Sequence, residues 1–293
     1  MKQIITPCIL VIYIFLLSSC TEDWLKPKPL SFYAPQNVLV DELGFESLLV
    51  TMRRDLRDDS FYDERCMFAN EYIMSDLGVG GNSNNQVTKD FVLQLTPAGD
   101  GGILNFSQLF DKSYTAIKTT NLLISRIDAI IWKEQTLKDN ILAEAYFFRS
   151  YWYYRLINTF GDVPFTGKEL TNAKLDYFTN SRSSILKKII SDMEFAVEKL
   201  PVKAIPGAAT RGAGNHLLTK LYLSNSDFDK AILSASKVIN GPYALMKNRF
   251  GSSANDPKRN VAWDLFRPEN ISISTNTETL LAVVDRYEAP IAT

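Results

Sequence analysis

The sequence has 293 residues, of which 46% are hydrophobic and 12% aromatic, and its formal net charge at pH 7 is −1. This much apolar material is typical of a globular protein with a sizeable core, and it excludes a disordered or low-complexity chain. The 32 basic and 33 acidic residues are spread along the sequence, so the chain has no electrostatic footprint for nucleic acid.

The first twenty residues have the pattern of a bacterial lipoprotein signal. Lys2 precedes an uncharged apolar run, residues 4–17, which is too short to span a bilayer comfortably as a retained transmembrane anchor. The run leads into "LSSC", which has the form of a lipobox. We therefore predict a signal peptide over residues 1–19 and a lipid-modified Cys20, whose acyl chains would anchor the mature protein to a membrane.

A change of composition marks the start of the ordered chain. Residues 20–40 are rich in proline and polar side chains, and we expect an extended tether there. Asp41 is suited to cap a first helix, because apolar residues recur at helical spacing in the following "ELGFESLLVTMRRDL". A helical domain is therefore expected over residues 41–293.

Few residues are candidates for metal or covalent chemistry. Loss of Cys8 with the signal peptide and acylation of Cys20 would leave Cys66 as the one free thiol, so no disulfide framework is predicted. His216 is the sole histidine, whereas zinc sites recruit several His or Cys ligands. We expect no metal, no cofactor and no catalytic residue.

An aromatic helix is the most distinctive element of the sequence. The stretch "AEAYFFRSYWYYRLINTFGDVPF" has nine aromatic residues in 23 positions, and these point in nearly every direction around a helix of residues 136–158. Such a helix must be buried on almost all sides, and Arg149 and Ser150 leave one narrow polar strip. Gly161 is placed to end it.

The later elements predict a stack of helical hairpins. An amphipathic helix is expected over residues 183–200. The segment "TRGAGNHLLTKLYLSNSDFDKAILSASKVIN" predicts two helices around "SNSDFDK", as in a tetratricopeptide repeat, and one such hairpin must stack on its neighbours to bury its faces. A glycine- and asparagine-rich loop is expected over residues 76–102, and "TETLLAVVDRY" near the C-terminus predicts a strand.

In this order the segments resemble the SusD/RagB-like lipoproteins of the Bacteroidetes outer membrane. The resemblance rests on a lipobox followed by the acidic "TED" and by "WLKPKP", on "SYTAIKTTNLLISRI", on the aromatic helix that runs into "GDVP", and on "ATRGAGNHLLTKLYL" followed by "DFDKAILSASKVIN" and "GPYAL". It implies a mostly α fold, a tetratricopeptide-like helical hairpin scaffold with long loops.

The resemblance also implies a function. Such proteins are surface-exposed, non-catalytic lipoproteins that bind oligosaccharides or other nutrients beside a SusC-like TonB-dependent outer membrane transporter. They are considerably longer than this sequence and have a loop-rich C-terminal half. We therefore expect residues 41–293 to be the N-terminal helical domain of a truncated chain, either a fragment or a shortened gene product that no longer functions.

Candidate sugar-binding residues follow from the chemistry of saccharides. A sugar platform needs an exposed aromatic ring beside side chains that hydrogen-bond to hydroxyl groups. Trp263 in "NVAWDLF" is the aromatic candidate, although a local packing anchor is its alternative role. Asn82 and Asn84 are the polar candidates, in the glycine-rich loop.

Two other functional interpretations remain open from the sequence. A tetratricopeptide-type adaptor would bind proteins at the cell surface through a concave helical face. A surface glycosidase would need two carboxylates flanking the scissile bond. The stretch "RRDLRDDSFYDER" supplies Asp59 and four other carboxylates, but such dense mixed charge is typical of a solvated helix face.

Overall fold

The computed structural model describes residues 35–61, 100–172 and 174–283, and the chain divides into two units, residues 1–38 and 39–293. In the first unit the described residues form one short helix, α1 (Pro35–Val38). The end of the predicted tether is therefore helical rather than extended. Proline suits the first turn of a helix because its missing N–H would have no intrahelical partner there.

The second unit is mostly α-helical, as the sequence predicts. The helices of its described residues are α2 (Glu42–Phe61), α3 (Asp100–Arg126), α4 (Gln135–Phe160), α5 (Arg182–Lys199), α6 (Arg211–Ser224), α7 (Phe228–Ile239) and α8 (Val261–Leu265). A small antiparallel sheet, which the sequence did not predict, pairs β1 (Val163–Pro164) with β2 (Thr179–Asn180).

Side-chain caps fix several helix ends. The Gly44 N–H donates to Asp41 Oδ1 at 2.9 Å, which confirms the predicted cap of α2. Ser181 and Thr210 cap α5 and α6 in the same way, and each cap of this kind stabilises a helix by about 1 kcal/mol. Gly161 ends α4 with φ +75°, a conformation that favours glycine.

The aromatic helix α4 lies at the centre of the stack. It packs against α2, α3, α5 and α6, and the helices from α3 to α7 each pack on the next. Phe148, Trp152 and Tyr153 are at most 1% exposed. The expectation that this helix is buried on almost all sides is confirmed, and so is the stack of consecutive hairpins.

Close approach between α5 and α6 depends on a glycine. A methyl group on Gly214 would lie 2.8 Å from Leu200 Cδ1 and 3.1 Å from Val197 Cγ1, well inside ordinary contact distance. The small residues of the predicted hairpin therefore bring α6 against α5. They act as the tetratricopeptide pattern requires.

The polar side of α4 is also buried, so the strip at Arg149 and Ser150 is not the uncovered side that the sequence suggested. Arg149 is 2% exposed and Ser150 is fully covered. Arg149 Nη2 lies 2.5 Å from Asp192 Oδ2, and Arg149 Nη1 donates to Asn121 Oδ1 at 3.1 Å. Because Asp192 and Asn121 come from α5 and α3, the buried charge is neutralised by residues far away in the sequence.

The hydroxyl groups of the aromatic residues hold the segment that follows α4, residues 161–169, which we call the strap. Tyr114 on α3 donates to the Pro164 carbonyl at 2.6 Å. The Tyr153 hydroxyl accepts from the Thr166 N–H at 2.7 Å. These contacts satisfy the polar atoms of covered tyrosines and of an irregular backbone together.

Two boundaries differ from the sequence-based expectation. The predicted loop of residues 76–102 ends early, because α3 takes up its last three residues, and the rest of it lies outside the described residues. The predicted strand at 277–287 is irregular in its described part, residues 277–283. There the Ala244 N–H donates to the Thr277 carbonyl at 3.1 Å, so the backbone pairs with an irregular segment rather than with a strand.

Candidate functional site

Residues 241–283 form a turn-rich segment that follows α7 and carries Trp263. Tyr243 fastens its start to α6, where the tyrosine hydroxyl lies 3.2 Å from Thr210 Oγ1. Gly212 makes room for this contact, because a methyl group there would lie only 2.2 Å from the Tyr243 hydroxyl oxygen. The segment is thus attached to the helical stack by Tyr243, and Gly212 of the "TRGAGN" stretch leaves room for this tyrosine.

A buried ion pair organises the middle of the segment. Asp264 on α8 is fully buried, and Arg249 Nε lies 2.5 Å from its Oδ2 atom. The same oxygen accepts from the Phe250 N–H at 3.1 Å, and the Asp264 carbonyl accepts from Asn270 Nδ2 at 3.1 Å. The hydrogen bond from Arg249 holds the pKa of the Asp264 carboxyl below its ordinary value. We call Arg249, Asp264 and Asn270 the hub.

The hub also fixes the turns in front of α8. Arg249 Nη1 donates to the carbonyls of Asp256 at 2.5 Å and Arg259 at 2.8 Å. Gly251 has φ +73°, and a methyl group there would lie 2.1 Å from Asn270 Oδ1. A side chain at that position would therefore be strained and would also collide with the hub.

Trp263 precedes Asp264 of the hub on α8, and its side chain is partly exposed to solvent. Trp263 is 38% exposed, and its backbone N–H donates to Asn260 Oδ1 at 2.9 Å, so that Asn260 caps α8. The Cζ atom of Arg259 lies 3.7 Å from the centroid of the Trp263 rings, and that of Arg267 lies 5.5 Å away. We call Trp263, Arg259 and Arg267 the Trp263 platform.

Arg259 and Arg267 were not predicted as site residues from the sequence, although their spacing from Trp263 indicates a shared face. Arg259, Trp263 and Arg267 stand at i, i+4 and i+8, a spacing that puts side chains on one face of a helix. Only the centre of this run is helical, yet both guanidinium groups reach the ring. The other predicted site residues, Asn82, Asn84 and Cys20, lie outside the described residues.

A second concave feature lies among α2, α4 and the loop that joins α5 to α6. It is a cavity of about 490 Å³ with mainly apolar walls. On its wall Arg53 makes a two-pronged ion pair with Glu144, with N–O distances of 2.8 and 2.7 Å. Glu144 Oε1 also accepts from the Ala209 N–H at 3.1 Å. The charges of Arg53 and Glu144 on this wall are therefore paired within the protein.

Several carboxyl groups of the described residues have structural partners. Asp59 is 2% exposed and accepts from Arg155 Nη1 at 2.8 Å, so the expected solvated face is wrong for this residue. A glycosidase acid needs a raised pKa. By contrast, the pKa values of the Asp139, Asp264 and Glu269 carboxyl groups are lowered, chiefly by a hydrogen bond to the carboxylate.

The described part of the chain has neither a cluster of metal ligands nor a helix suited to cross a membrane. There, no three His, Cys, Asp or Glu side chains lie close enough together to hold a metal ion. Across residues 35–61, 100–172 and 174–283, no helix has both the length and the apolar composition that a membrane crossing requires.

Comparison with known proteins identifies relatives of most of the helical stack. A SusD-like family model, described as starch-binding associating with outer membrane, matches residues 45–223, which is more than half of the chain. SusD-like protein P2 of Formosa agariphila is 25% identical over 236 residues. That match covers 78% of this chain but 45% of the relative, so the chain spans about half of the relative's length.

Solved structures share the fold. A SusD-like carbohydrate binding protein from Bacteroides fragilis superposes with a TM-score of 0.66 at 22% identity, over 84% of this chain and 46% of that one. A laminarin binding SusD-like protein gives a TM-score of 0.57 at 21% identity, over 71% of this chain and 47% of the other. At these identities the likeness concerns the fold alone.

Proposed function

The chain belongs to the SusD-like family, and on that premise we propose that it is an outer membrane lipoprotein that binds oligosaccharides and delivers them to a TonB-dependent transporter. In this proposal residues 1–19 are a signal peptide and Cys20 carries the lipid. Residues 20–40 are the tether, and residues 41–293 form the binding domain. The protein captures its ligand without chemical conversion.

The observation that carries the binding role is the Trp263 platform. The indole of Trp263 is partly exposed on a turn-rich segment, and the buried Arg249–Asp264 ion pair fixes that segment. Saccharide contacts need such an exposed and positioned aromatic ring. The aromatic ring offers apolar area, and the guanidinium groups offer hydrogen-bond donors to ring oxygens and hydroxyl groups. Because the hydrogen bonds of the hub hold the turns beneath the platform, a ligand would have less of this segment to order on binding.

The test is titration calorimetry of the full chain with maltoheptaose and laminarihexaose. These probes follow the family's description and the laminarin-binding relative. We expect Trp263→Ala to weaken binding about tenfold or more, as truncation of a central aromatic residue does. Phe178→Ala is the matched control, because Phe178 is an aromatic residue that is 81% exposed away from the platform. Equal loss in both variants, or no effect of Trp263→Ala, would contradict the proposal.

The delivery step has its own test. The lipidated protein, purified in detergent from its native outer membrane, should carry a TonB-dependent barrel at near-equal abundance. Glycan binding without that barrel would limit the role to capture. Co-purification of soluble partners in place of the barrel would favour the adaptor interpretation, for which the apolar cavity beside Arg53 and Glu144 is the feature in support.

A further inference from the structure

The faces of the Trp263 ring are not all available to a sugar. Arg259 Cζ lies 3.7 Å from the ring centroid, which is stacking distance, so its guanidinium group covers part of the indole. A pyranose cannot occupy the same space. Contacts at the covered face must therefore be made by the guanidinium group itself.

Both platform arginines keep donors free for a ligand. The one ion pair of Arg259 joins its Nε to Asp256 Oδ2 at a long 3.6 Å, and Arg267 Nε donates to Glu269 Oε1 at 3.0 Å. The four terminal guanidinium nitrogens donate no hydrogen bond to a described residue. The Arg259 and Arg267 side chains are 43% and 40% exposed, so both are partly accessible to solvent.

The charge around the platform differs from that of the whole chain. Residues 247–269 contain five cationic and three anionic side chains, a net charge of +2, whereas the chain as a whole carries −1. One of the anions, Asp264, is buried and paired with Arg249 inside the hub. The remaining surface therefore presents more positive than negative charge beside an aromatic ring.

We infer that the Trp263 platform selects acidic oligosaccharides, which carry carboxylate or sulfate groups. This inference rests on the proposed glycan-binding function and specifies its substrate class. A planar guanidinium group matches the two oxygens of a carboxylate or a sulfate with paired hydrogen bonds. Arg259, stacked on the indole, is held in place for such a contact, and Trp263 supplies apolar area for the rest of the sugar ring.

The test compares ligands that differ only in charge. Full-length protein is titrated with tetragalacturonate and its methyl ester, and with sulfated laminarihexaose and laminarihexaose. We expect each acidic ligand to bind about tenfold more tightly than its neutral counterpart. The preference should shrink as ionic strength rises above ~0.1 M, where the screening length falls below about 10 Å. The carboxylate and sulfate pairs show which acidic group is preferred.

Matched variants separate specific contact from general charge. Arg259→Gln/Arg267→Gln should lower the affinity for each acidic ligand about tenfold more than the affinity for its neutral counterpart, because only the acidic ligand loses a charge-assisted contact with the guanidinium groups. Lys187→Gln/Lys203→Gln removes the same charge from exposed lysines elsewhere and should keep the preference. Circular dichroism of each variant checks that the helical stack is intact.

The outcomes distinguish this inference from the function on which it rests. Equal affinity for acidic and neutral ligands, with both lost in Trp263→Ala, overturns the acidic preference and leaves glycan binding in place. Absence of binding to these four saccharides and to maltoheptaose overturns both. Equal competition by a single-stranded oligonucleotide of the same charge also overturns the inference, since the surface would then bind any polyanion.

Discussion

The aromatic helix α4 and the segment of residues 241–283 are stabilised in different ways. Helix α4 is covered by four other helices, and its largest side chains are almost fully buried. In residues 241–283 the buried hydrophobic residues are Phe250 and Ala282, and the hub of hydrogen bonds fixes the turns. Substitutions in α4 should therefore lower the stability of the whole domain, and substitutions in the hub should disturb the platform locally.

The two regions also differ in how much sequence change they tolerate and in where binding residues can lie. A scaffold that depends on packing tolerates little change, because a core senses the loss of even one methylene group. A turn-rich segment fixed by a few polar contacts can vary around them, and binding residues are concentrated on such segments. The Trp263 platform lies on such a turn-rich segment, not on the packed scaffold.

The largest effect is expected inside the stack, at the buried Arg149–Asp192 pair. Arg149→Met leaves Asp192 buried without its main partner, which should lower the free energy of unfolding by about 3–5 kcal/mol. Urea denaturation measures it. Lys188→Met is the control, because Lys188 also pairs with Asp192 but is half exposed, and it should cost less than about 1 kcal/mol. Equal losses in the two variants would show that burial does not decide the effect.

Two glycines with nearly the same backbone angle sharpen the comparison. Gly161 has φ +75° and open space around it, so Gly161→Ala should cost about 1–2 kcal/mol of backbone strain. Gly251 has φ +73° but faces Asn270, so Gly251→Ala should cost about 1–3 kcal/mol more through overpacking. It should also weaken saccharide binding, which Gly161→Ala should spare. Thermal melts and calorimetry on both variants check this.

Acid should weaken the hub in a defined direction. The pKa of Asp264 is lowered in the folded state, mainly by the hydrogen bond from Arg249, so its charged form stabilises folding. That contribution is present above the unfolded pKa of about 4 and is lost as pH falls through the folded pKa. The melting temperature should therefore fall more steeply below about pH 4 for the wild type than for Asp264→Asn. Parallel curves would exclude a role for Asp264.

The smallest expected effect concerns the strap. Tyr114→Phe removes the donor to the Pro164 carbonyl, which is half-buried and can take water instead. The loss should be about 0.5–1.5 kcal/mol, the usual value of one hydrogen bond. Urea denaturation measures it, and saccharide affinity should stay unchanged. A loss as large as that of Arg149→Met would mean that the strap and the buried ion pair act as one unit.

The sequence predicts the helical stack because apolar periodicity, caps and glycine ends are local features. It does not predict the partners of buried charges. Arg149 was placed on a narrow polar strip, and its burial was not predicted because its neutralising partner, Asp192, is 43 residues away on another helix. Asp59 was misplaced for the same reason, because Arg155 on α4 covers it.

The sequence predicted only part of the candidate site. Trp263 stands out as a tryptophan in a polar stretch, and the structure places it where solvent reaches its ring. The strand expected at 277–287 reflects local β propensity, which the pairing of Thr277 with Ala244 overrides. The hub could not be predicted, because Arg249 and Asp264 meet through turns whose conformation depends on Gly251 and Asn270.

The most direct test of a saccharide site at Trp263 is hydrogen exchange of the full chain, followed by mass spectrometry, with and without tetragalacturonate or sulfated laminarihexaose. We expect slower exchange in residues 256–270 when ligand is bound, and unchanged exchange in α4. Protection confined to the helices that line the apolar cavity, or no protection of residues 256–270 under saturating ligand, would contradict a saccharide site at the Trp263 platform.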